Sequence, residues 1–328
     1  MKKLVFLTVS ILSVSVFALA TATRPVLAAP AATNTGGQAL EISPPVMTLS
    51  ADPGQTITAQ ISLRDISSGI LLVNGQINDF IAAGEDGTPK ILLDGSGDNP
   101  YSIKNWISPF TEMTLLPKQI KTFPITIKVP ADASPGGHYG VIRFTSVPPE
   151  LKGTGVSLSA SLGSLVLIKV SGNVKENLAV QEFTAYNSGQ PSSLFESSPV
   201  QFIARLKNTG NMHEQPTGQI TITDMFNKKV ADVIINQPPR YILPNSIRKF
   251  DQSLDSGQLG NKVLFGQYHA KLNVTYGVNK QIVTSEITFW VIPYRLIGAG
   301  IVLLVGGFFA LRFLIRRYNH HIISKSKK

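Results

Sequence analysis

From Thr56 to Leu63 apolar side chains fall on every second residue, Ile57, Ala59, Ile61 and Leu63, with polar residues between them. That two-residue period turns one face of an extended strand toward a core and the other toward water. Comparable runs cover Leu71 to Ile81, Phe123 to Val129, Tyr139 to Thr145, Leu162 to Val170, Val200 to Leu206, Gln219 to Thr223 and His269 to Tyr276. Turn-forming clusters separate them, among them Asp52-Pro-Gly54, Glu85-Asp-Gly87, Ser134-Pro-Gly-Gly137 and Asn208-Thr-Gly-Asn211. Short strands at this spacing predict antiparallel β-sandwiches, and a helical period is nearly absent from this part of the chain.

The pattern occurs twice. Leu116-Pro-Lys-Gln-Ile-Lys-Thr-Phe123 reappears as Leu243-Pro-Asn-Ser-Ile-Arg-Lys-Phe250, alike at six of eight positions, and a Tyr entering a strand follows each Phe by 16 and 18 residues. Two copies of one fold are expected. Leu63 to Leu116 spans 53 residues where Leu206 to Leu243 spans 37, so the first copy carries an insertion of about 16, placed within Glu85 to Tyr101 and expected to carry binding surface.

Two longer apolar runs break the pattern. Lys2 and Lys3 precede an uncharged stretch from Leu4 to Ala20, followed by small residues, which reads as a secretory signal with cleavage expected after Ala28, and Ala20 and Ala22 as alternatives. The 22 residues from Tyr294 to Ile315 suffice for a helix across the roughly 30 Å apolar core of a bilayer. Basic residues gather behind its apolar run Leu296 to Leu311, at Arg312, Arg316, Arg317, Lys325, Lys327 and Lys328, which predicts a cytoplasmic C-terminus and an extracellular N-terminal ectodomain on a single-pass protein of the cell membrane. Gly306 and Ala310 form one small-xxx-small pair, compatible with a homodimer through this helix. The expected order is a signal peptide over residues 1–28, a linker over 29–39, a first β-sandwich over 40–172, a second over 173–290, a transmembrane helix over 291–315 and a basic tail over 316–328.

The net charge of +10 changes its meaning once it is placed along the chain. Residues 1–28 and 293–328 hold ten basic residues and no acid, leaving twenty of each sign between them. The excess marks topology, and no nucleic-acid footprint remains. With no cysteine, disulfides, thiolate metal sites and a lipid-modified cysteine are excluded.

Catalytic patterns are missing: there is no Gly-x-Ser-x-Gly and no His-Glu-x-x-His, and a non-enzyme is expected. His138, His213 and His269 are scattered, and two of them sit beside the repeat tyrosines in predicted strands. Asp94, Ser96 and Asp98 place oxygens at alternate positions, as a Ca²⁺ loop begins, but the rest of that pattern is missing and a solvated turn competes with it; no other cofactor is expected. Tyr101, Trp106 and Phe110 are candidates for an aromatic surface contacting glycan or peptide, with core packing as the competing reading, favoured for Trp106.

Asn78-Asp-Phe80 followed by Asp86-Gly87, Trp106-Ile, Leu115-Leu-Pro117 with the strand from Phe123 to Pro130, Pro135-Gly-Gly-His-Tyr-Gly140 and Leu165 to Gly172 together resemble the WxL-interacting protein family of Gram-positive surfaces. The resemblance implies an all-β protein of two tandem immunoglobulin-like β-sandwich domains with a signal peptide and one C-terminal transmembrane helix. It also implies adhesion or scaffolding, the first domain on cell-wall peptidoglycan and the second on surface proteins. Around Asn208 to Asn211 and Pro216 to Ile222 the second domain departs from the family pattern. Competing functions are a membrane-tethered chaperone or enzyme acting on exported proteins, and a structural stalk.

Overall fold

The computed structural model describes residues 40–93, 99–147, 159, 161–255, 257, 259 and 264–325, with side chains of the C-terminal helix described to residue 317. The expected signal peptide, the linker and the Asp94, Ser96 and Asp98 loop lie outside the described residues.

The first sandwich runs β1 (Leu40–Ser43), β2 (Val46–Ala51), β3 (Thr56–Asp65), β4 (Leu71–Ala83), β5 (Thr88–Leu92), β6 (Met113–Leu115), β7 (Ile120–Lys128), β8 (Gly136–Ser146) and β9 (Ser161–Val170). One sheet has the order β1-β3-β7 and the facing sheet β2-β9-β8-β4-β5, with β6 also on β4. The second runs β10 (Leu178–Asn187), β11 (Gln190–Pro191), β12 (Leu194–Phe195), β13 (Val200–Asn208), β14 (Thr217–Asp224), β15 (Lys229–Ile235), β16 (Ile247–Leu254), β17 (Gly266–Tyr276) and β18 (Gln281–Val291). Its sheets are β11-β10-β13-β16 and β12-β18-β17-β14-β15. The correspondence is direct: β3 with β7 matches β13 with β16, and the parallel β2–β9 pair matches β12–β18. The chain is therefore two tandem immunoglobulin-like sandwiches.

The repeated octapeptide has a local cause. In both copies Pro is followed by a residue with positive φ, Lys118 at 65° and Asn245 at 58°, and the chain closes through Gln119 N–H to Leu116 O (2.9 Å) and Ser246 N–H to Leu243 O (3.2 Å). Proline presets the first corner of such a turn and the second needs the left-handed region, so the same turn feeds β7 and β16.

Each sandwich has its own core. Ile61, Leu63, Ile125 and Ile127 from one sheet meet Val73, Ile142, Phe144 and Ile168 from the other. In the second, Phe183 stacks beside Phe202 within one sheet, and Phe202 packs across to Phe289 of the other, 5.6 Å between rings. Strand β8 departs furthest from the alternation, buried at every position from Gly136 to Ile142. Its inward face fills the first core, and its outward face is covered by other parts of the chain.

Helix α1 (Tyr294–Lys325) starts after Pro293, a residue suited to helix entry because it has no N–H to leave unpaired. Its segment Tyr294–Arg317 is long and apolar enough to cross a membrane and none of it is buried against the sandwiches. Val291, which hydropathy alone assigns to this helix, is instead the last residue of β18, paired with Gly266 and Phe195. Gly306 and Ala310 lie exposed on α1.

Candidate functional site at the junction of the two sandwiches

The outward face of the β2-β9-β8-β4-β5 sheet meets the segment of the second sandwich that leads into β16. Phe80, Tyr139, Val141 and Leu167 form a small buried cluster there, with Tyr101, Tyr241 and Leu243 packed against it. This cluster is why β8 is buried on both sides.

Polar contacts flank it. The Asn208-Thr-Gly-Asn211 turn, readable in the sequence only as a turn, is the joint between the sandwiches. Asn208 is fully buried; its Nδ2 donates to Met212 O (2.6 Å) and Ile242 O (2.9 Å), and its Oδ1 accepts from Gly210 N–H (2.9 Å). Asn211 O accepts from Gly137 N–H (2.8 Å), and Asn211 Nδ2 donates to Pro135 O (3.0 Å) and Asn173 O (3.2 Å). On the other flank, the β4–β5 turn reaches across: Glu85 O accepts from Lys249 N–H (2.7 Å), and the Glu85 carboxylate accepts from Arg205 Nε (2.6 Å). Arg205 also pairs with Glu182, and the Glu85 hydrogen bond leads the effects that hold its guanidinium above its usual pKa. Arg248, 8% exposed, donates to Tyr241 O (2.6 Å) and Asp86 O (2.8 Å). Burial first, then the neighbouring Arg240, lowers its pKa. The start of the insertion expected to carry binding surface thus ties the two sandwiches together.

Tyr139 and His213 meet edge-on at 5.6 Å with Tyr139 Oη 3.4 Å from His213 Nδ1. Burial raises the Tyr139 hydroxyl well above the phenol range and depresses His213 to about 4. Next to them Glu214 is pushed up to about 7, first by burial and then by Glu176. Glu214 Oε2 accepts from Gly277 N–H (3.1 Å) and Glu176 Oε2 from Val278 N–H (3.0 Å), while Lys169 of the first sandwich lies 4.0 Å from Glu176.

The signs decide a pH effect. Between about 4.5 and about 7 the folded chain holds a proton on Glu214 that the unfolded chain has released, so Glu214 lowers stability as pH rises. His213, and His138 in the same sense, act oppositely between their lowered values and 6.5, because the unfolded chain there binds the extra proton. The two effects overlap from about pH 6.5 to about pH 7.5, where the histidines of the unfolded chain are still releasing protons and offset the Glu214 contribution. We therefore expect Glu214→Gln to gain melting temperature relative to the parent chain between about pH 6.5 and about pH 8, because it removes the Glu214 contribution and leaves the histidines unchanged, read as the difference between the two chains in thermal melts at the two pH values.

The three aromatic candidates are not brought together. Tyr101 lies at the junction, half-buried, its ring 6.1 Å from Tyr139 and its hydroxyl accepting from Asn245 Nδ2 (3.3 Å). Trp106 is 9% exposed in the first core, 4.5 Å from the His138 ring. Phe110 packs edge-on to Phe144 at 5.4 Å and covers Gly75. Core and junction packing account for these positions. Among the described residues no group of three or more His, Asp or Glu could hold a metal.

Between the sheet face and the β16 approach lies a cleft of about 310 Å³, its walls including Val46, Phe80, Leu165 and Leu167 on one side and Tyr241, Leu243 and Ile247 on the other, with buried Arg248 and exposed Arg240 also lining it. It is bordered by the outer edge of β2. Leu165 N–H and Ser171 N–H donate to Pro45 O (2.9 Å) and Ala51 O (3.0 Å), so the alternate residues Val46, Thr48 and Ser50 turn their backbone groups outward, away from β9. Apart from the very short β6 and β12, other outer strands carry charge or proline, among them Pro124 and two lysines in β7, Pro89 and Lys90 in β5, and Lys229 and Asp232 in β15. β2, with the sequence Val-Met-Thr-Leu-Ser-Ala, carries neither. Such guards normally block strand addition, and this edge lacks them.

No protein-family model matches the chain, and no curated protein matches it. Solved structures to which it is similar include the class 5 fimbriae chaperone CfaA (16% identical, over 76% of this chain and 98% of that one, TM-score 0.36). The E. coli chaperone DraB is 13% identical over 77% and 98% (TM-score 0.35). A chain of the Salmonella enterica SafA pilin complex with the SafB chaperone is 11% identical over 77% and 96% (TM-score 0.34). By its own topology this is a tandem immunoglobulin-like sandwich protein with one apolar C-terminal helix.

Proposed function

We propose that the chain is a non-enzymatic, single-pass surface protein that captures a protein partner by adding a strand of that partner to β2 and seating its side chains in the adjoining cleft. The carrying observation is the unguarded β2 edge beside an apolar cleft. Strand addition takes its affinity from the backbone and its selectivity from pockets for alternate side chains, and both elements are present. Arg240, exposed beside the cleft, favours a segment bearing a carboxylate.

The family resemblance supports a surface-protein partner and adds peptidoglycan as a second ligand class. The order proposed is signal peptide to residue 28, linker, a first sandwich over 40–172, a second from 173 to the end of β18 at Val291, then the membrane helix and a cytoplasmic tail, with basic residues gathered behind the apolar run.

A retention assay tests the strand-addition reading. The full chain in detergent is offered purified peptidoglycan and the cell's own exported proteins, alongside Thr48→Pro. Proline at Thr48 removes an outward N–H and spares the β9 ladder. Retention of an exported protein that Thr48→Pro abolishes and Thr48→Ser keeps supports the proposal. Retention on peptidoglycan alone, or equal retention by Thr48→Pro, overturns it.

A further inference from the structure

The exposed aromatic residues of the two sandwiches lie at one end of one sheet. Phe226 is 81% exposed, Phe265 62% and Trp290 44%. Pairing places them together: Val291 opposes Gly266, Trp290 opposes Gln267, and Asp224, the last residue of β14, opposes Tyr268. Phe265 precedes Gly266, Met225 packs against Gly266, and Phe226 follows Met225 beyond the end of β14. Helix α1 leaves the same end, with only Ile292 and Pro293 between β18 and Tyr294, a reach of about 10 Å from Val291. Two strand spacings of about 4.8 Å separate β18 from β14, so the Phe226 turn lies about 10 Å to the side of the helix start.

The turn is built to present its ring. Asp224 Oδ1 accepts the N–H groups of Phe226 and Lys228 (2.9 Å each), and Asn227 takes the left-handed conformation. The joint is tied as well: Ile292 N–H donates to Phe195 O (2.8 Å), and Arg295 lies 3.4 Å from Glu196. Charges at this end are largely matched, with Lys229 paired to Asp232. Isolated exposed apolar residues are ordinary, but a cluster of Phe and Met with Trp290 beside a membrane-crossing helix sits where apolar side chains can bury into the headgroup–acyl boundary and an indole is favoured at the water–lipid interface.

We infer that Met225, Phe226 and Phe265 insert into the interfacial layer of the bilayer that α1 crosses, seating the second sandwich directly on the lipid surface. The inference rests on the membrane-crossing reading of α1. Seating fixes which way the sandwiches project, and so where the β2 edge is offered.

The absence of cysteine allows a single nitroxide label to report depth. The full chain is reconstituted in phosphatidylcholine–phosphatidylglycerol vesicles and labelled in turn through Lys228→Cys beside the wedge, Val278→Cys at the β17–β18 turn at the other end of the strand pair, and Val305→Cys in α1. Oxygen accessibility relative to a water-soluble nickel complex should be several-fold higher at 228 than at 278. Adding Phe226→Asp and Phe265→Asp should return label 228 to the value at 278. If 228 matches 278 while 305 is lipid-buried, the seating is wrong and the anchor stands. If 305 is also in water, the membrane reading fails and the seating falls with it.

Discussion

Replacing Phe202 with alanine is expected to melt the second sandwich at a much lower temperature while the first keeps its own transition. Phe202 is fully buried, lies 6.2 Å from Phe183 and 5.6 Å from Phe289, and joins the two sheets of that sandwich. Truncating a buried phenylalanine removes its transfer free energy and leaves a cavity, a loss of about 3–5 kcal/mol. At about 4 °C or more per kcal/mol for a domain near 100 residues, the transition should fall by more than about 10 °C. The Phe202→Leu variant should lose clearly less. Differential scanning calorimetry of the full chain in detergent separates the outcomes: one falling transition beside a fixed one supports two independent cores, and a joint fall shows that the junction makes them one cooperative unit.

Gly136→Ala is expected to open the junction. Gly136 has φ of 123°, a region that side chains rarely enter, and a Cβ there would overlap the carbonyl oxygen of Asn211 on the other sandwich. The substitution therefore adds backbone strain of about 1–3 kcal/mol and displaces the acceptor of the Gly137 N–H. A second glycine isolates the inter-sandwich part. Gly189 also has positive φ, at 79°, but nothing lies within 4 Å of its Cβ position, so Gly189→Ala strains the backbone without touching the joint. Limited proteolysis in the connection between β9 and β10 should accelerate in Gly136→Ala and stay unchanged in Gly189→Ala. Equal rates in both variants would show that the Asn211 contact does not hold the sandwiches together.

These two changes separate what is local from what is not. Ile57, Ala59, Ile61 and Leu63 announce a strand because the two-residue period belongs to the backbone itself. The repeated Leu-Pro turn is legible for a similar reason, since Pro117 and Pro244 impose the same corner wherever they occur. The apolar run of α1 and the basic residues behind it are likewise visible along the chain, because length and charge need no partner to be read.

The junction is another matter. Arg205 looks like an ordinary outward residue of a strand, and Asn211 like a turn residue; only the meeting of the sandwiches puts Arg205 on Glu85 and Asn211 on Gly137. Trp106 and Phe110 are drawn inward while Tyr101 faces the other sandwich, a division that their close spacing in the chain does not contain. The amino-acid order thus determined two sandwiches, their shared turns and the apolar helix, all consequences of local periodicity. Which outer face is covered, which edge stays open and which rings gather at the base of the helix were decided by contacts between residues tens of positions apart, and those depend on how preformed surfaces fit.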